Sequence, residues 1–349
     1  MRMTTLMFGI ATLIARGALA GSLNPSGPPS PTPDDEPRTP ISTATTPGDN
    51  FAFFRITRPG SYFLTGNLVN QIQASTRNGI VIESSDVTID LNGFVVDGLT
   101  VLVVPVAEPQ PQGLQPDTVG ILAEGTLENI TILNGVVKDW IHRGIDLDSA
   151  DGVRVEGVIV SGNGTEGLWV GEEALVTHCV ARDNGASGIF ALSGANVTEC
   201  IARGNGDTGI NLASRNTVRG CTAMENGVYG IALFSDSIVT QSSANLNGVD
   251  GIHLFGEDNH VLNNICNGNG GNAANGAGIS SSNGDRLESN QVADNDVGIS
   301  LSGTGSIVIK NSAGGNGENY SVIGTHAVGP FVGLDDPITT TNPWANFEF

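Results

Sequence analysis

The stretch GIFALSGANVTECIARGNGDT (188–208) runs directly into GINLASRNTVRGCTAMENGVY (209–229), and the two align without a gap over 21 residues. Each opens on glycine, continues as Ile-x-apolar, and carries a cysteine twelve residues after the glycine. Working outward, units open at Gly144, Gly167, Gly188, Gly209, Gly230, Gly251, Gly278 and Gly298, in steps of 23, 21, 21, 21, 21, 27 and 20. Weaker units open at Gly79 and Gly120. With the opening glycine as position 0, position 1 is Ile or Leu and position 3 is usually apolar. Position 9 is Val or similar, 12 is Cys, Ser or Asn, 14 is small, and 17 is Asn. Apolar residues at 1 and 3, and small ones at 12 and 14, alternate as in strands with one face inward. A fixed period of short strands predicts stacked coils. The Asn-Gly pairs are expected to form the turns, because both residues tolerate positive φ.

Composition supports strands and excludes long helices. The chain has 48 Gly and 32 Asn, 15% charged residues, and only two lysines, Lys138 and Lys310. Helices resist glycine at that density. With 36 acidic and 15 basic residues the net charge is −21. Nucleic acid is therefore not an expected partner, since phosphate binding needs a basic surface. Two coil architectures share the period. A leucine-rich repeat matches the spacing of positions 9, 12, 14 and 17, but Val, Cys, Ala and Asn stand where its core wants large aliphatic residues. It also leaves the G-I-x-L strand without a role.

The chain resembles the pectate-lyase-like right-handed β-helix proteins over roughly residues 51–330. The resemblance rests on PGSYFLTGNLV (59–69), NGIVIESSDVTIDLNGFVVDG (78–98) and the GI-x-L…N coils. It implies an all-β chain forming a single right-handed parallel β-helix, here of about ten coils from residue 78, with terminal caps. It leaves the chemistry open, because this architecture hosts lyases, hydrolases, epimerases and inert binders. The paired Asn-Thr-Asp and Gly-His-Gly of polygalacturonases and the Asp-Pro-His-Asp of alginate epimerases are absent, so no catalytic residue carries over by motif.

The ends read differently. Residues 1–20 have the pattern of an export signal: Arg2, an apolar Thr5–Ala15, and Ala18-Leu19-Ala20 before Gly21. The alternative is a buried N-terminal strand or helix. Cleavage removes Arg2 and Arg16 and takes the formal charge from −21 to −23. The expected location is secreted, periplasmic or cell-surface, and no later segment is long enough to span a bilayer. Residues 21–48 hold eight of the sixteen prolines and read as a linker. Pro105, Pro109, Pro111 and Pro116 mark a loop at about 101–118, after which no proline occurs before Pro330. The β-helix is expected over 49–330, with Phe51, Phe53, Phe54 and Phe63 covering its first coil. Residues 331–349 are expected to cap its last coil through Trp344, Phe347 or Phe349.

Stacked coils lie about 4.8 Å apart, so each position becomes a column. Asn184, Asn205, Asn226, Asn247, Asn269, Asn295 and Asn316 are expected to form an amide ladder, the alternative being a polar binding strip. Column 12 reads Cys179, Cys200, Cys221, Ser242, Asn264, Asn290, Asn311, with Cys266 two residues past column 12 in its own coil. Buried free thiols are expected there; neighbouring disulfides are the alternative, and zinc is disfavoured because the thiols spread along a line.

Position 2, the outward residue of the first strand, reads Asp146, Trp169, Phe190, Asn211, Ala232, His253, Ser280, Ser300. Position 4 carries Glu83, Glu124 and Asp148, then Leu192, Phe234 and Phe255. Acids followed by aromatics suit a sugar chain, because rings stack on C–H faces and carboxylates accept hydroxyls. Trp169, Phe190, Asn211 and His253 are the candidate substrate-binding residues. The alternative is that the aromatics stabilise the sheet as cross-strand pairs or pack beneath the 101–118 loop. Candidate catalytic residues are Asp146, Asp148, Glu124 and His142, with Arg143 as charge neutraliser, because neighbouring carboxylates can divide acid and base work. No metal or other cofactor is assigned, although the carboxylates could share a calcium ion. The expected partner is a polysaccharide or glycan, and the chain is expected to be a monomer. Two functions compete: a lyase- or epimerase-type protein, and a non-catalytic surface or matrix protein that binds glycans. The acidic charge repels polyuronates but not neutral glycans.

Overall fold

The computed structural model describes residues 38–70, 77–99, 118–271, 276–333 and 340–349. The expected export signal, most of the linker and nearly all of the 101–118 loop lie outside these residues. Among the described residues there is no helix, and hence none long and apolar enough to cross a membrane.

One coil explains the rest. In residues 188–208 the chain makes three strands, Ile189–Ala191, Asn196–Thr198 and Ile201–Arg203. Each pairs in parallel with its counterpart one coil later: Ile189 with Ile210, Asn196 with Thr217, Ile201 with Thr222. Single residues with positive φ make the corners, Gly194 (81°), Glu199 (52°) and Gly204 (65°). The fold is the all-β parallel β-helix that the repeat predicts. Its first strands form one sheet of twelve, from Ala52–Ile56 to Glu318–Val322. Ten of the twelve follow the ten glycine openings, and the other two extend the rod beyond the ten coils expected.

Position 1 lines the core. Ile145, Leu168, Ile189, Ile210, Ile231 and Ile252 are all fully buried, each contributing about 1.5–3 kcal/mol relative to exposure. The four cysteines are buried free thiols. Cys179, Cys200 and Cys221 each point at a carbonyl of the preceding coil, those of Val155, Val176 and Val197.

The Asn column is a continuous ladder that starts at Asn163. Asn205 Oδ1 accepts from the backbone N–H of Asn184 at 3.2 Å and from its amide at 2.9 Å. Asn205 Nδ2 in turn donates to Ala181 O at 3.1 Å and Asn226 Oδ1 at 3.0 Å. Each amide thus ties three coils and satisfies buried backbone groups. The ladder explains the opening glycines: a Cβ on Gly188 would lie 2.6 Å from Asn205 Nδ2. In the repeat pairs Asn184-Gly185, Asn205-Gly206 and Asn226-Gly227 neither residue supplies the positive φ expected, although Asn92-Gly93 does. The left-handed residue is the one before the asparagine, such as Asp183, Gly204 or Glu225. Gly206 is required instead for room, since its Cβ would sit 2.3 Å from Gly185 O.

The N-terminal end departs from expectation, whereas the tail caps as expected. Pairing begins at Thr39–Pro40, inside the stretch read as linker, with Thr39 opposite Tyr62 and Ile41 buried beside it. Residues 51–69 are not a cover over the first coil. They are a coil, because Ala52–Ile56 pairs with Asn78–Ile82 and Gly60–Phe63 with Val87–Asp90. At the other end the tail adds a strand, Asn346–Glu348, to Ser312–Gly314. Asn346 Oδ1 accepts from Asn311 N at 3.0 Å and so ends the Asn264–Asn290–Asn311 ladder. Phe349 lies against Gly314, whereas Trp344 is half-exposed beneath Lys310.

Candidate functional site

The register places Asp146, Trp169, Phe190, Asn211, Ala232, His253, Ser280 and Ser300 in one outward column of the twelve-stranded sheet, as the spacing predicts. Chemistry gathers at two places along it.

The first centres on Arg143, in the turn just before Gly144. Its Nη1 lies 2.6 Å from Asp146 Oδ2 and 3.8 Å from Asp148 Oδ2, and its Nε lies 3.1 Å from Glu166 Oε2. The same guanidinium lies 3.7 Å from the Trp169 ring centroid. Phe190, one coil further on, packs on Trp169 with 4.3 Å between centroids. Burial works against the Arg143 charge, but the hydrogen bonds it donates to Asp146 and Glu166, with their charges, outweigh it and raise its pKa. Asp148 is pushed up from the ordinary carboxylate value by burial and by the Asp146 charge, against the pull of Arg143.

These contacts reorder the sequence-predicted residues. Asp146 points outward yet is covered, with its side chain 8% exposed and locked to Arg143. Asp148 is the exposed member of the pair. Glu124 belongs to a different group, paired with Arg55 at 3.1 Å alongside Glu83. His142 lies in the turn, where its backbone bonds Thr118 and Thr165. Among the described residues no hydrogen bond joins its imidazole to either aspartate. A calcium ion on these carboxylates would have to displace both guanidinium groups, and among the described residues no cluster of three or more metal-ligating side chains is arranged to hold an ion. Trp169 does not present a free ring, since Arg143 and Phe190 flank it from the coils before and after.

The second place lies five coil steps along the column, about 24 Å at sheet spacing. His253 Nδ1 is 2.6 Å from Asp250 Oδ2, and Asp250 Oδ1 accepts from Ala277 N at 2.6 Å. Tyr229 stacks on the imidazole at 4.4 Å, and Phe255 leans on it at 4.3 Å. Phe234 stacks on Phe255 at 5.2 Å. Burial first, then the charges of Asp250 and Asp207, raise the Tyr229 phenol. Sequence reasoning found His253, Phe234 and Phe255 but missed Glu166, Tyr229 and Asp250. The signal was present: all three stand immediately before an opening glycine, where Arg143 also stands. A turn residue there reaches position 2 of its own coil, so Arg143–Asp146 and Asp250–His253 are the same contact made twice.

The model of the family described as right handed beta helix region matches residues 68–217 and 117–261. The chain belongs to that right-handed β-helix family. No curated protein matches it in sequence. Among solved structures, the A-module of the Azotobacter vinelandii mannuronan C-5 epimerase AlgE4 is similar at a TM-score of 0.56 and 16% identity, over 88% of this chain and 87% of that one. The AlgE6 A-module of the same organism gives 0.58 and 14%, over 82% and 79%. The Dettilon tailspike protein gp208 gives 0.58 and 14%, over 78% and 60%. At these identities the likeness establishes the β-helix and leaves the site to be argued from this chain's own residues.

Proposed function

We propose that this chain is an exported β-helix protein that binds a polysaccharide along the outward face of its twelve-stranded sheet. The observation that carries the reading is the Phe234–Phe255 pair. Stacked across adjacent coils, the two rings are 47% and 46% exposed on the outward face of the rod, beside His253. Contiguous exposed rings mark candidate binding surfaces, and sugar C–H faces suit them. That two of the structural neighbours are mannuronan epimerases agrees with a polysaccharide ligand. The test is retention of the full chain on an array of neutral and uronic oligosaccharides, with and without Ca²⁺. Specific retention supports the reading, and silence across the array sinks it.

A catalytic reading rests on Asp148. It is 42% exposed, its pKa is raised, and Arg143 stands beside it to meet developing negative charge. In that case wild-type protein leaves unsaturated or reducing ends, or epimerised residues visible by proton NMR, and Asp148→Asn binds without turnover. Retention without any product from the wild type leaves a binding protein.

A further inference from the structure

Past His253 the outward column changes character. Position 2 reads Ser280 and then Ser300, in register with His253, and position 4 reads Ser282 and Ser302 where the coil before carries Phe255. Four small hydroxyl side chains therefore form a low floor, and His253 with Phe255 forms a wall that rises from its edge. Three properties of this ledge define what fits it. The wall offers aromatic rings to C–H groups, while the serines offer hydroxyls, that of Ser282 only as an acceptor because it donates to Gly256 O at 3.2 Å. Asp250, 4% exposed, uses both oxygens, one on Ala277 N and one on His253 Nδ1. A carboxylate accepts only, so Nδ1 carries the proton and Nε2 is left for a hydroxyl, which can donate to it or accept from it. No cation stands on the floor columns, and the chain is strongly acidic, so a uronate would find nothing to neutralise it.

The geometry points to this ledge as a subsite for a neutral sugar residue, its C–H face against Phe255 and His253 and its hydroxyls on the serine floor and on His253 Nε2. The assignment rests on the proposed polysaccharide binding and narrows it in place and substrate class. It prefers the ledge to the Trp169–Phe190 pair as the stacking platform, since Arg143 already stands against Trp169.

The experiment compares the full chain with Phe255→Ala, Ser280→Leu and Trp169→Ala on the same array of neutral and uronic oligosaccharides, each variant first shown folded by circular dichroism. Phe255→Ala removes the wall. Ser280→Leu fills the floor from an outward position without touching the core, and so remains informative if the first variant is unstable. Both should weaken retention of neutral glycans by about tenfold, whereas Trp169→Ala should leave it unchanged. Neutral-glycan retention that survives both ledge variants overturns the subsite while leaving polysaccharide binding in place. Retention confined to uronic oligosaccharides overturns the neutral assignment. An array silent for the wild type overturns the proposed function itself.

Discussion

The Arg143 guanidinium carbon stands 3.7 Å from the Trp169 ring centroid, with the Phe190 ring of the next coil 4.3 Å from it, centroid to centroid. A side chain that looked from its column like a sugar platform is therefore packed. It shields a half-buried cation, which in turn neutralises Asp146 and Glu166. The open aromatic face lies further along, at Phe234 and Phe255.

Trp169→Ala should accordingly be a stability mutation. Removing a ring packed against Arg143 and Phe190, but not fully buried, is expected to cost about 2–3 kcal/mol, below the range for a fully buried aromatic. Denaturant titration measures it. A variant as stable as the wild type would show that the ring contributes no packing.

Arg143→Met leaves the Asp146 carboxylate, 8% exposed, without its cation. The expected loss is about 3 kcal/mol at neutral pH, in the range for an orphaned buried charge. Adding Asp146→Asn should recover a large part of it. A double-mutant cycle with additive losses would mean that the two residues do not act as a pair.

Asp285 is fully buried, and it ends a third column of the type Asn216, Ser237, Asn259, where the neighbouring columns hold asparagine. Burial raises its pKa above 3.8, against hydrogen bonds from Asn259, Ser281 and Ser282. The folded protein therefore keeps this proton to a higher pH than the unfolded chain does. Between 3.8 and the raised value, stability falls as pH rises, and the loss persists at neutral pH. Asp285→Asn should remove that slope and raise Tm at pH 7, with the new amide directed along the column towards Ser306 Oγ, which has no partner. Melting curves across pH test it; parallel curves for variant and wild type would refute a buried charge at this place.

Leu246 occupies a corner with φ of 55°, where the coils on either side place Glu225 and Gly268 and others place Asp or Gly. A branched apolar residue pays steric strain in the left-handed region and here is 56% exposed besides. Leu246→Asn should stabilise the protein by about 1 kcal/mol, seen as a raised denaturation midpoint at unchanged slope.

The coil was legible because a β-helix writes its cross-section into the sequence once per turn. Gly188, Ile189, Ala191, Cys200, Ala202 and Asn205 each repeat in place, and parallel pairing in register makes every repeat a column. The outward residues followed from the same alternation, so Asp146, Trp169 and His253 were located correctly. The ends were less legible. Thr39–Pro40 and Asn346–Glu348 join the sheets without the repeat's glycine, since a terminal strand needs only one neighbour and carries little of the pattern. The role of the Asn-Gly pairs was also misplaced, because close approach between coils, not φ, selects those glycines.

By itself the sequence determined the period, the inward and outward faces, the amide ladder and the buried thiols, all of which depend on position within a coil. Only the tertiary structure decided which outward groups are free. Whether Trp169 is a platform or a packed ring depends on where a turn arginine one coil earlier folds back. Whether Asp146 is a working carboxylate or a paired one depends on that same arginine. Side-chain contacts between the turn and the strand cross two columns at once, and a reading column by column does not contain them.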